Sequence, residues 1–175
     1  MTTTIGTIVP TPSRSNHLIA RPPSRFEIVG KSVFLAGSTE PNIAPDWQSQ
    51  ITSLLSTRLP NQPLTILNPR RDDWDSSWKE SIQDERFREQ VNWELDAQDA
   101  ATFIAMYLHP GTKGVVSLLE LGLHAKDSGK VVVCCPDGYW RKGNVEVVCQ
   151  RYGIKLCEQF EQFEEEVVRM LRMDN

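Results

Sequence analysis

Short apolar runs alternate with longer amphipathic stretches along the chain from Lys31 onward. The apolar runs, bounded by Gly, Pro or Asn, predict five strands, at residues 32–36, 64–67, 101–107, 130–135 and 154–156. The amphipathic stretches repeat apolar residues every three or four positions and predict five helices, at residues 45–59, 82–97, 115–126, 144–152 and 160–173. Strands that alternate with helices favour a parallel sheet covered on both faces, because each parallel return needs a crossover.

This order of elements predicts an α/β fold. Its simplest form is a flavodoxin-like three-layer sandwich with a five-stranded parallel sheet in the order 2-1-3-4-5. Residues 31–175 would form this domain, and residues 1–30 are predicted to be an extended N-terminal arm on the domain or on a partner subunit. A mitochondrial transit peptide is the alternative for the arm, which contains arginines and no acidic residue before Glu27.

The composition suits one globular domain with a sizeable core, since 39% of the 175 residues are hydrophobic and 24% are charged. The formal net charge is -4 and the basic residues are scattered, which argues against a nucleic-acid partner. No apolar stretch reaches the roughly 18–20 residues that span a bilayer, so no membrane association is expected.

The four cysteines predict buried thiols rather than disulfides, because Cys134 and Cys135 are adjacent inside an apolar run. Such thiols suit a reducing compartment, and a cytoplasmic location is expected. The chain has no Cys-x-x-Cys pair and only three histidines, so neither a metal site nor any other cofactor is predicted.

Candidate binding residues follow the first two strands, because α/β sheets bind ligands where strand order reverses at the carboxyl ends of the strands. Gly37 and Ser38 could cradle a phosphate or a sugar hydroxyl, or could simply form a turn. After the second strand, Arg suits a carboxylate or phosphate, Asp suits a base or ribose, and Trp offers a stacking plane. This loop contains Asn68, Arg70, Arg71, Asp72, Asp73 and Trp74. The alternative is a solvated charged loop with Trp74 packed as a lid.

Two helices carry the remaining candidates. Gln90, Trp93 and Glu94 are spaced to share one helix face, which could position a ligand or could be an exposed polar face with Trp93 buried. Ser117 and Glu120 also share a face, in a segment that is otherwise nearly all apolar. A carboxylate buried there needs a partner or performs chemistry, because an unpaired buried charge is costly. A salt bridge from Glu120 to a surface Lys or Arg is the alternative.

These segments together resemble the nucleoside 2-deoxyribosyltransferase-like proteins. The resemblance covers about residues 31–148 and is carried by five segments in the same order, FLAGS at 34–38, NPRR at 68–71, QVNWEL at 90–95, SLLELG at 117–122 and YWRKGNV at 139–145. It implies a flavodoxin-like fold and cleavage or transfer at the N-glycosidic bond of a nucleoside or nucleotide.

The resemblance also assigns roles to residues. Glu120 matches the family nucleophile, which attacks the anomeric carbon and holds a glycosyl ester, and Ser117 is an available donor to it. Asp72, Asp73 or Glu94 could protonate the departing base, and Trp74 or Trp93 could stack on it. Asn144 matches a residue that reaches the sugar 5′-hydroxyl in a neighbouring subunit's site. The resemblance therefore implies a homo-oligomer, a dimer or higher, whose ligands are a nucleoside or nucleotide and a free base.

The chain departs from the family pattern at Gly114, because the best-known deoxyribosyltransferases have an Asp six residues before the nucleophile. They also carry an Asp in the preceding helix, where this chain offers Gln90, Val91 or Glu94. Transfer, hydrolysis and non-catalytic nucleotide binding thus all stay open. A flavin-binding flavodoxin is a weaker alternative, because the first loop lacks a Ser/Thr-rich phosphate cradle.

Overall fold

The computed structural model describes residues 16–40, 42–71, 75, 77–127 and 129–172. In this part of the chain the strands are β1 His17–Ala20, β2 Lys31–Gly37, β3 Leu64–Leu67, β4 Phe103–Tyr107, β5 Val131–Cys134 and β6 Lys155–Cys157. The helices are α1 Trp47–Arg58, α2 Glu85–Ala100, α3 Val115–His124, α4 Lys142–Tyr152 and α5 Phe160–Leu171. None of these helices is long and apolar enough to cross a membrane.

The strands form one parallel sheet in the order β1-β3-β2-β4-β5-β6. Strands β2 to β6 are the five predicted from the sequence, and their order confirms both the predicted 2-1-3-4-5 arrangement and the flavodoxin-like sandwich. The count of five was one strand short. Residues 17–20, expected in the extended arm, pair with β3 in register from His17 opposite Leu64.

The sheet separates two apolar layers, because successive side chains of a strand point to opposite faces. On one face, Val33 and Leu35 of β2 pack with α1 and α5. On the other face, Phe34 and Ala36 pack with α2, α3 and α4. The four cysteines are buried and form no disulfide, as predicted.

Helix α2 begins later than predicted because an N-cap residue, Asp84, sets its first turn. The Asp84 carboxylate accepts hydrogen bonds from the backbone N–H groups of Arg86 and Phe87, at 3.1 and 3.3 Å. This N-cap places the first helical residue at Glu85, later than predicted, and the helix then runs on to Ala100. The longer C-terminal end brings Gln98 into the helix beside α3.

Strand order reverses between β2 and β4, and the two strands approach closely there. The φ of Gly37 is +133°, and a Cβ at this position would clash with the carbonyl oxygen of Tyr107 and lie 2.8 Å from its nitrogen. The next residue, Ser38, donates its N–H to the same carbonyl oxygen at 2.9 Å. Glycine therefore permits the close approach of β2 and β4 at the carboxyl ends of the strands, where the candidate site lies.

Candidate functional site

Glu120 lies on the inner face of α3, against α2. The buried residues of α3 are Ser117, Glu120, Leu121 and His124, and those of α2 are Gln90, Trp93, Ala97 and Gln98. Both sets follow helical spacing, and the two faces are joined where Gln98 hydrogen-bonds to Glu120 and His124. The Glu120 side chain is only 8% exposed, and its Oε1 accepts a hydrogen bond from Gln98 Nε2 at 2.6 Å.

A chain of polar side chains, called the polar ladder below, connects the two helices. It consists of Gln90, Glu94 and Gln98 on α2 and of Glu120 and His124 on α3. Gln90 Nε2 donates to Glu94 Oε1 at 2.7 Å and to the carbonyl oxygen of Pro69 at 3.0 Å. At the other end, His124 Nε2 lies 3.0 Å from Gln98 Oε1. Each carboxylate of the ladder thus has one glutamine donor.

Burial changes the acidity of both carboxyl groups. It raises the pKa of Glu120 to about 8, the Glu94 charge adds to the rise, and the hydrogen bond from Gln98 opposes it. Burial also raises the pKa of Glu94, against the hydrogen bond from Gln90. Two carboxyl groups in a shared site of low dielectric ionise one after the other. Near neutral pH the pair can therefore hold one proton and one negative charge, and the rise in the pKa of Glu120 to about 8 favours the proton on Glu120 in the empty site. A reaction with Glu120 as nucleophile and Glu94 as acid needs that proton on Glu94 instead.

Ser38 joins the loops that follow β2 and β4. Its Oγ accepts a hydrogen bond from the N–H of His109 at 2.9 Å and lies 2.5 Å from the hydroxyl of Thr112. Its carbonyl oxygen accepts from the Trp47 indole at 3.0 Å. Because the polar atoms of Ser38 are used within the protein, Gly37 and Ser38 are better described as the turn that supports the site than as a phosphate cradle.

The loop after β3 is held between α1 and α2. Asn68 is buried, and its Oδ1 accepts from the N–H of Arg70 at 3.0 Å, an Asx turn. Arg70 pairs with Asp46, the N-cap of α1, at 2.7 Å. The Arg71 guanidinium lies 4.9 Å from the centre of the Trp78 ring, and its side chain is 6% exposed.

Three of the predicted loop residues, Asp72, Asp73 and Trp74, lie outside the described residues. Their predicted roles therefore stay predictions.

The chain matches a model of a protein family over most of the folded domain. The model of the family described as nucleoside 2-deoxyribosyltransferase like matches residues 30–139, which is more than half of the chain. The chain belongs to the nucleoside 2-deoxyribosyltransferase-like family. The predicted resemblance is thereby confirmed. No curated protein matches the chain.

In this deoxyribosyltransferase-like protein, the matched segment contains the predicted loop residues from Gly37 to Trp74, together with Gln90, Trp93, Glu94, Ser117 and Glu120. It ends at residue 139, before Asn144 and α4.

The local fold explains why this deoxyribosyltransferase-like protein has glycine at position 114. Gly114 is left-handed, with φ +53°, and a Cβ there would lie 3.1 Å from the Tyr139 hydroxyl oxygen. An aspartate would be strained and crowded at this position. The N–H of Gly114 instead donates to Glu40 Oε1 at 3.3 Å, so a carboxylate from the loop after β2 lies at the start of α3.

Two other predicted residues lie away from the polar ladder. Trp93 is buried, donates its indole N–H to the carbonyl oxygen of Ser24 at 2.8 Å, and contacts the Phe26 ring edge-on at 5.5 Å. This environment favours a packing role for Trp93 over base stacking. Asn144 is exposed on α4 and lines a cavity of about 310 Å³ between α3 and α4. The structure does not bring Asn144 to the α2–α3 contact that contains Glu120.

Gln98 and His124 were missed by sequence reasoning. Gln98 is the donor to Glu120. Ser117, the predicted donor, makes no hydrogen bond to Glu120 in the described part of the chain. The spacing held a usable signal, because Gln98 follows Glu94 by four residues and His124 follows Glu120 by four. Extending both predicted helix faces by one turn would have included them.

Proposed function

We propose that this protein cleaves the N-glycosidic bond of (deoxy)nucleosides or nucleotides through a glycosyl ester on Glu120. The observation that carries the proposal is the pair of half-buried Glu94 and buried Glu120, each held by a glutamine donor, on two facing helices of a family member. Removing two carboxyl groups from water lowers the stability of the folded state. Among the described residues, neither group forms an ion pair with a surface Lys or Arg. That arrangement favours chemistry over the salt-bridge alternative.

In the first step, an oxygen of Glu120 forms a bond to C1′ of the sugar, and the C1′–N bond breaks with its electron pair moving to the base. Glu94, whose neutral form is favoured by burial, gives its proton to the base. Asp72 and Asp73 are the alternative proton donors. Because Gln98 holds Oε1 of Glu120, the other carboxylate oxygen is the proposed attacking atom.

In the second step, a free base or water attacks C1′ and the ester bond breaks, returning its electron pair to Glu120. The proton of the attacking group passes to Glu94. Two displacements at one carbon retain the anomeric configuration. A base as acceptor makes the protein a transferase, and water makes it a hydrolase.

Gln90 is a proposed contact for the substrate. Its Oε1 is buried and has no hydrogen-bond donor within the part of the chain that the structure describes. An amino or ring N–H group of a base could supply that donor. Arg70, Asp73 and Trp74 are further proposed contacts, on the neighbouring loop.

The decisive experiment traps the glycosyl ester. The protein is mixed with 2′-fluoro-2′-deoxynucleosides carrying each common base, with and without a 5′-phosphate. Intact-mass and peptide spectra should show one added fluorosugar on the peptide that contains Glu120, because fluorine slows breakdown of the ester. Glu120→Gln should take no label, whereas the surface variant Glu165→Gln should label like the wild type. Product formation without label on Glu120 would contradict the proposed nucleophile.

A non-catalytic nucleoside-binding module is the second candidate. It is favoured by the pKa of Glu120, about 8, which leaves much of this carboxyl protonated at neutral pH in the empty site. Calorimetry with the same nucleosides separates the two candidates. Measurable binding, with neither label nor released base, would support the module.

We also propose a homo-oligomer that forms through the outer face of α3. Val115, Val116, Leu119 and Leu123 are each more than half exposed on this face. An exposed, contiguous apolar helix face is typical of a surface that another protein surface covers. The face carries no charged side chain, so a second copy can pack against it around a two-fold axis. Asn144 lies beside it, which fits the contribution to a neighbouring site that the family resemblance implies.

Leu119→Glu is expected to convert this oligomer to monomers, because it would place two carboxylates in an apolar contact. Sedimentation velocity at micromolar concentration measures the change. The matched control is Ile82→Glu, which changes an equally exposed aliphatic residue away from α3 and should leave the oligomer intact. A monomeric wild type would contradict the proposal.

A further inference from the structure

We infer that Gln98 positions the Glu120 carboxylate and that His124 fixes the orientation of Gln98. The inference rests on the proposed function, since it names the residues that prepare the nucleophile. Gln98 is completely buried, and both ends of its amide are engaged, the nitrogen by Glu120 and the oxygen by His124. No other donor to Glu120 occurs among the residues that the structure describes.

The orientation of the Gln98 amide matters because its two ends have opposite polarity. A flipped amide would direct its oxygen at the Glu120 carboxylate and replace an attraction by a repulsion. His124 prevents the flip by presenting an N–H at Nε2, which only the amide oxygen can accept. Both the neutral Nε2–H tautomer and the imidazolium ion present this donor, so the orientation holds in either protonation state.

The surroundings of His124 support this assignment. Its Nδ1 faces Asp127 Oδ2 at 4.0 Å, so Nε2 is the nitrogen that faces Gln98. Burial lowers the pKa of His124, Lys130 acts in the same direction, and Asp99 and Asp127 oppose it. The lowered pKa favours the neutral ring at neutral pH, and the Gln98 amide oxygen, 3.0 Å from Nε2, is the contact that assigns the proton to Nε2.

Gln98 has two consequences for the nucleophile. A 2.6 Å hydrogen bond fixes one oxygen of Glu120 and leaves the other for the sugar. The same bond stabilises the charged form of Glu120 against burial and against the charge that Glu94, the carboxyl group facing it from α2, carries when ionised. Gln90 lies about two turns before Gln98 in α2 and acts on Glu94 rather than on Glu120. A positioned and partly ionised carboxylate is what nucleophilic attack needs.

The test uses Gln98→Met, which keeps the length of the side chain and removes its donor. We expect kcat to fall about 10- to 100-fold with little change in KM, because the loss affects the nucleophile rather than binding. The acidic limb of the pH–rate profile should move up by about one pH unit, because the charged form of Glu120 loses its donor. His124→Leu should shift the limb in the same direction, and His124→Gln, which keeps an N–H donor, should restore most of the rate.

Thr65→Val is the matched control. Thr65 lies in β3, and the change removes two part-buried hydrogen bonds to the backbone of Val29, so it should lower stability without moving the pH profile. Carbon-13 NMR titration of the Glu120 carboxyl gives a readout that does not need turnover. A titration midpoint that rises in Gln98→Met supports the inference even if the wild type proves inactive, a result that would overturn the proposed function alone. An unchanged midpoint and an unchanged kcat would overturn the inference.

Discussion

Glu120→Gln is expected to abolish turnover and, at pH 8, to make the folded protein more stable. Turnover should fall at least about 1,000-fold, because an amide cannot form the glycosyl ester. Stability should rise because the native carboxyl is buried beside Glu94 and resists ionisation. The amide is nearly the same size, carries no charge and can still accept the hydrogen bond from Gln98.

The gain in stability depends on pH in a defined direction. The pKa of Glu120 is about 8 in the folded protein, above the ordinary value of 4.5. At pH values below 4.5 the carboxyl is protonated in both the folded and the unfolded protein, so its raised pKa does not lower the free energy of unfolding. Between 4.5 and 8 the unfolded chain ionises first, so the free energy of unfolding of the wild type falls as pH rises. The variant does not titrate there, so its advantage should reach about 2–4 kcal/mol at pH 8 and vanish near pH 4.

Urea unfolding at pH 4 and pH 8 measures this difference. Glu165→Gln is the matched control, because Glu165 is exposed and Arg58 holds the pKa of its carboxyl below the usual range. That variant should gain no stability at pH 8. If Glu120→Gln changed the free energy of unfolding equally at both pH values, the pKa of Glu120 in the folded protein would not be raised by burial.

Gly37→Ala should destabilise the fold by about 3–5 kcal/mol, the range of severe core and backbone substitutions. The added Cβ would clash with the backbone carbonyl of Tyr107 and lie 2.8 Å from the Tyr107 nitrogen. Backbone atoms in the middle of a sheet cannot move aside as a flexible side chain can. The left-handed φ of +133° adds strain for any residue that has a Cβ.

Soluble yield and urea unfolding test this expectation. Gly143→Ala is the control, because Gly143 lies in α4 and a Cβ there would meet no atom within 4 Å. Alanine should stabilise that helix by about 0.5–1 kcal/mol. If Gly37→Ala unfolded at the same urea concentration as the wild type, β2 and β4 would not approach each other as closely as described.

The sequence predicted most of the sheet because its inner strands are continuous apolar runs between clear turn residues. The run from Val131 to Cys134 is buried along its whole length, which gives a strong signal. β1 gave no such signal, because it is four residues long, pairs on one side, and is only partly covered. Residues 17–20 form a strand because they pair with β3, and the local pattern of apolar and polar residues does not reveal that pairing.

Glu120 could be found because a carboxylate in an apolar helix is conspicuous. Gln98 could not be found in that way, because it stands between Ala97 and Asp99 in a polar stretch that resembles an exposed surface. Its burial results from the packing of α3 against α2. Trp93 shows the opposite problem, because an aromatic residue suits a stacking plane and a core equally well, and only its neighbours Phe26 and Phe34 decide between them.

The edge position of β1 also bears on the order in which the chain can fold during synthesis. Residues 17–20 leave the ribosome well before residues 64–67, which are their strand partner in the described sheet. Until β3 emerges, the backbone N–H and C=O groups of β1 have no strand to pair with. The pairing joins segments that are far apart in the sequence, so it carries a cost in loop-closure entropy that a local pairing does not. β1 is thus expected to dock only after β3 has formed.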